Sequence, residues 1–145
     1  MSAKTPAISL KALDARTASE APFSFEYISP DGSASGVTFT VLGGQSATVQ
    51  SEINRLVNER RRKQHAAEIN ARTGGRKSED FTSVESDIEF GQRLAAIRLV
   101  GWSGIAEPFH EDLALELCQS NADIATQITE QSNDMANFMK SSSPT

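Results

Sequence analysis

Two short runs of strict alternation constrain this chain more than any other feature. Phe23, Phe25 and Tyr27 alternate with Ser24 and Glu26, and Val37, Phe39 and Val41 alternate with Thr38 and Thr40. Successive side chains on a strand point to opposite faces, so each run gathers its apolar residues on one side. Between them lies Ser29-Pro30-Asp31-Gly32-Ser33, in which proline presets one turn angle and glycine accepts a positive φ. The spacing predicts a β-hairpin over residues 22–44 with its aromatics and valines on one face. A lone hairpin is marginal in water, so that face must cover helices or pair with another chain.

Helical spacing takes over after Gly43 and Gly44. Ser46 is placed to cap a run in which Val49, Ile53, Leu56 and Val57 recur at helical intervals. This predicts a helix over 46–72 whose apolar stripe fades after Val57, whose distal half projects into solvent, and which stops at Thr73-Gly74-Gly75. Thr82 and Glu85 form a capping-box pair, and Phe81, Val84, Ile88, Leu94, Ala95 and Ile97 predict a second helix over 81–100, with Gly91 permitting close backbone packing. Residues 110–119 and 121–138 complete a helical C-terminal subdomain over 107–139. The expected fold class is α+β, an N-terminal β-hairpin followed by a mostly helical body of about four helices, in one domain over 22–139. Residues 1–21 lack periodicity and read as a flexible arm with a possible short strand at 7–10; residues 140–145 read as a disordered tail.

A chain of 145 residues can bury a real core without disulfides or metals. The single cysteine, Cys118, has no internal partner, and no charged-then-apolar leader or long apolar run appears near Met1, which predicts a cytoplasmic protein with no membrane span. The net charge of −5 hides a strong polarity. Residues 55–77 carry 8 basic and 2 acidic groups, whereas residues 78–145 carry 3 and 12. Such a field orients a partner or a second copy of the chain.

The basic residues Arg55, Arg60, Arg61, Arg62, Lys63, Arg72, Arg76 and Lys77 are the best case for a nucleic-acid surface. No aromatic is interleaved to stack bases, and two glutamates interrupt the run, so nucleic acid is disfavoured as a partner. His65 and His110 lack the spacing of a zinc site, and Cys118 behaves as a small apolar group without a recognisable base. No enzyme signature, metal site or cofactor is expected. Trp102, between Gly101 and Gly104, reads as a core plug at a helix-helix corner near Phe109. Leu113, Leu117, Ile124 and Ile128 join that core. The stripe continues to Met135, Phe138 and Met139, which with Phe25 and Phe39 are candidate partner-binding residues.

The order Gly101-Trp102, Gly104, Pro108-Phe109, Leu113, Leu117, Asn121, Ile124, Ile128 and Asn137-Phe138 resembles the tail assembly chaperones of long-tailed bacteriophages. The strand-then-helix region over 36–67 is similar to that family less distinctly. His110 stands where the family pattern has a capping serine, and Ala122 where it has proline; both weaken a helix start. The resemblance implies a non-catalytic protein of the host bacterial cytoplasm, absent from the mature virion. It would bind the tape-measure protein, keep it soluble and help recruit the major tail protein, with self-association possible. The alternatives are a nucleic-acid-binding phage regulator using the basic helix, and a structural tail-completion or tail-tube component pairing through hairpin edges.

Overall fold

The aromatic alternation forms β1 (Phe23–Ile28) and the valine-threonine alternation forms β2 (Ala34–Val41) in the computed structural model, which describes residues 7–74 and 83–139. The two strands are antiparallel, with Phe23 opposite Val41 and Phe25 opposite Phe39. Gly32 takes a φ of 85°, and the Asp31 carboxylate accepts hydrogen bonds from the Ser33 amide and hydroxyl, so the turn closes as its residues predict.

The hairpin has a third neighbour that the periodicity concealed. The second amphipathic helix, expected to run to residue 100, covers Val84–Ala96, and Leu99–Ser103 is a strand, β3, paired antiparallel with β2. Gly101 and Trp102 therefore lie on a strand, with Trp102 opposite Phe39, instead of at a helix-helix corner. A short apolar run has no periodicity of its own that separates strand from buried helix. The open edge of β2 decides the matter here, because its backbone groups need a ladder partner.

Opposed residues share a face, so Phe25, Phe39 and Trp102 line one side of the sheet while Ser24, Thr40 and Gly101 line the other. The apolar side is covered by α4 (Glu111–Ser120) and α5 (Ala122–Asn133), which pack on each other and on the Val84–Ala96 helix, α3. Phe39, Val41, Leu99, Ala95, Cys118 and Ile128 form the centre of the core. Polar straps fix α5 to the sheet: Tyr27 Oη donates to Asp123 Oδ2 at 3.0 Å, and the Gln127 amide donates to Ile28 O at 2.9 Å. Ser132, fully buried, donates to Leu42 O at 2.8 Å and accepts from the Gly44 amide through its own carbonyl.

The helix starts follow local chemistry. Ser46 Oγ accepts from the Val49 amide at 3.0 Å and opens α2 (Ala47–Gly74), whose Val49 and Leu56 are buried while most of its residues beyond Arg60 are exposed. His110 Nδ1 accepts from the Asp112 amide at 3.1 Å, so the histidine caps α4 in the place of serine. Asn121 Oδ1 accepts from the amides of Asp123 and Ile124 and caps α5. At the far end Asp134 caps a single 3-10 turn, Met135–Asn137, which breaks the last helix earlier than residue 138.

Three other expectations need correction. Ser83, not Thr82, caps α3, accepting from the Ser86 amide at 3.1 Å; Phe81 and Thr82 lie outside the described residues. Val84 and Ile88, assigned to the apolar stripe of α3, are 74% and 55% exposed. Residues 7–10 form no strand, and the segment expected to be a flexible arm contains a 3-10 turn, Leu10–Leu13, and a short helix, α1 (Ala15–Ala18). Ser9 and Asp14 cap these elements. Ser19 is fully buried against Gly43, where a β-carbon on the glycine would collide with it, and the Gly43 amide donates to Ser19 O at 2.8 Å. The Glu20 carboxylate accepts from the amide and hydroxyl of Thr48, so these residues are tied to the start of α2. Residues 1–6 and the tail over 140–145 lie outside the described residues.

Candidate functional site

The proposed partner-binding aromatics are mostly consumed by the core. Phe39 is 0% exposed and contacts both Phe25 and Tyr27, with ring centroids 5.9 and 6.4 Å away. It is the hub of the sheet's packed face and not a docking residue. Phe25 is half-buried against that core. Phe138 is half-buried and meets Phe23 edge-on at 5.9 Å, while Met135 and Met139 are half-buried beside it. The physical reason is area: an amphipathic helix over an aromatic sheet face buries more apolar surface than either element can alone.

The basic helix is also less available than its sequence suggests. Arg55 pairs with Glu52 at 2.8 Å, which raises its pKa, and lies 3.6 Å from Glu59. Lys63 pairs with Glu59 at 3.1 Å, and that contact holds the Glu59 carboxyl below the usual range. Arg60 is ion-paired with Asp87 and lies over the Phe90 ring, 4.6 Å from its centroid. This contact joins α2 to α3. Arg61, Arg62 and Arg72 are exposed; Arg76 and Lys77 lie outside the described residues.

Of the residues assigned to the core, Ile124 and Ile128 lie in it, Trp102, Phe109 and Leu117 pack against it, and Leu113 belongs to neither group. Trp102 meets Phe109 edge-on at 5.0 Å and donates from Nε1 to Glu107 O at 2.8 Å, closing the loop between β3 and α4. Ile124 and Ile128 are buried, Leu113 and Leu117 half-buried. Cys118 is fully enclosed, and burial pushes its thiol up to about 11, so it is a poor nucleophile at neutral pH. Among the described residues no three His, Cys, Asp or Glu side chains gather as a metal site, and no helix is long and apolar enough to cross a membrane.

What the sequence reading missed is a groove of about 480 Å³ between α3 and α5. Ile88, Gly91 and Ala95 line it from α3, and Ala122, Ala125 and Thr129 line it from α5. Each set has the spacing i, i+3, i+7, so both helices turn a straight seam toward the gap. Gly91 does not allow close packing: a β-carbon there would meet nothing within 4 Å. Ile88 and Ala95 belong to the apolar stripe expected of α3, whereas the facing alanine and threonine seam on α5 contributes little to an apolar periodicity. Arg98, directly after α3, also lines the groove and is 7% exposed.

No family model, curated protein or solved structure matches the chain.

Proposed function

We propose that this chain is a non-catalytic assembly chaperone of a long-tailed phage or prophage, which binds the helical tape-measure protein during tail assembly and keeps it soluble. In this role it helps recruit tail-tube subunits and leaves before the virion is complete. The observation that carries the reading is the open apolar groove between α3 and α5, a seat for a helical client, while the resemblance, carried by other residues, suggests which client. A gap lined on both sides by helical seams suits an amphipathic client helix. It suits a small substrate less well, since its lining holds one arginine and one exposed glutamate but no histidine or cysteine.

The charge pattern supports a protein client over a nucleic acid. Glu52, Glu59 and Asp87 already pair with Arg55, Lys63 and Arg60, which breaks up the track that phosphates would follow. The test is co-expression with the largest protein encoded just downstream, comparing the client's soluble yield with and without this chain. A stable complex in moderate salt, and absence of the chain from purified particles, is the expected result. Equal client solubility in both arms would sink the reading. Salt-steep binding to duplex DNA would instead favour a regulator, and recovery from mature particles a structural tail component.

A further inference from the structure

A guanidinium withdrawn from water persists only where acceptors replace its hydration. Arg98 is 93% withdrawn by that measure, its residue being 7% exposed, and the replacement is incomplete. Nη1 donates to Leu94 O near the end of α3, where the helix dipole favours a cation. Nε has no hydrogen-bond partner, and Arg98 is in none of the ion pairs formed among the described residues. Burial accordingly works against its charged form, although an arginine keeps its proton at any physiological pH. The one carboxylate among the residues lining the groove, Glu130, is exposed and forms no ion pair with it.

This incompletely compensated cation lines the same groove whose two seams repeat at helical spacing. Small side chains stand along both seams at Gly91, Ala95, Ala122 and Ala125, and the helical spacing matches the projecting side chains of a third helix and not the two-residue repeat of a strand. We propose that the α3–α5 groove docks an amphipathic helix of a partner protein and that Arg98 selects a helix carrying an aspartate or glutamate within its apolar face. A carboxylate entering beside Arg98 supplies the counter-charge that no ion pair among the described residues gives it. A helix with an uncharged residue there leaves the cation buried and unpaired, so the preference works by exclusion as much as by attraction. The inference rests on the chaperone reading for its occupant, a tape-measure helix.

The test uses the full chain and a labelled amphipathic helical peptide with a leucine seam and one central glutamate, alongside its glutamine twin. Fluorescence anisotropy should give about 30-fold tighter binding of the glutamate peptide. Arg98→Met should erase the difference between the twins, and Gly91→Phe, which fills the groove at a position with free space, should weaken both peptides at least about tenfold. Amide shifts in the complex should map to α3 and α5. Equal affinities for the twins, absence of binding, or binding indifferent to Gly91→Phe would each overturn the inference, and the peptide pair and Gly91→Phe keep the test decisive if Arg98→Met does not fold. Client rescue undiminished by Gly91→Phe would leave the chaperone standing and remove the groove. Selective peptide binding without client rescue would do the reverse.

Discussion

Gly91→Ala should stabilise this protein, although a glycine inside an amphipathic helix is commonly read as a site of close packing. The residue lies within the thirteen-residue helix α3, its φ is not positive, and a β-carbon there would meet nothing within 4 Å. The substitution therefore adds no clash and removes the backbone entropy that glycine loses on becoming helical, a gain of about 0.8–1 kcal/mol. Unfolding entropy for a chain of 145 residues is roughly 0.3 kcal/mol/K. The midpoint should rise by about 3 °C, which thermal circular dichroism resolves easily, with the urea m-value unchanged. If the groove were instead closed by another part of the chain or by a second copy, the methyl would be overpacked at a cost of about 1–3 kcal/mol. A fall of several degrees would thus refute both the open groove and the docking argument built on it.

Phe39→Ala should cost about 3–5 kcal/mol because the ring is fully buried at the centre of the sheet, whereas Phe138→Ala, half-buried at the margin, should cost about 1–2 kcal/mol. Urea titration of the two variants checks the order, and equal losses would refute it. Gly104→Ala should lose more than about 2 kcal/mol, since Gly104 has a φ of 83° and its β-carbon would strike the Gly36 carbonyl; an unchanged midpoint would contradict this account of the end of β3. For Cys118, the folded thiol is pushed from 9.0 up to about 11, so folding favours the protonated form. Its contribution to stability is complete below the unfolded value and is lost as pH rises through that of the folded state. Iodoacetamide at pH 8 should label it only in denaturant, and Cys118→Ala should lessen the alkaline loss of stability. Rapid labelling of the native protein would show that the thiol is not enclosed.

The resemblance and the structure bear on different parts of the molecule. The Gly101-to-Phe138 motifs that carry the resemblance have packing roles: Trp102 on Phe109, caps at His110 and Asn121, and Phe138 on Phe23. The groove and Arg98 lie mainly on residues outside that set, on α3 and on the small-residue side of α5.

Local chemistry alone determined the hairpin, its turn, the cap at Ser46, the C-terminal helices and the α+β class, because alternation, turn residues and capping side chains act over a few positions. Even the departure at His110 was recoverable, since an imidazole nitrogen accepts from the amide that a serine would serve. Tertiary structure decided the rest. Whether Leu99–Ser103 continued a helix or became a strand depended on the open edge of β2, a partner far away in sequence. Whether Phe39 faced a client or the core depended on α5 arriving to cover it, and Ser19 is buried beside Gly43 because that glycine leaves room for it. The groove was least legible of all, because it is a space between two helices whose α5 side is lined mostly by alanine and threonine, and the burial of Arg98 is set by its neighbours.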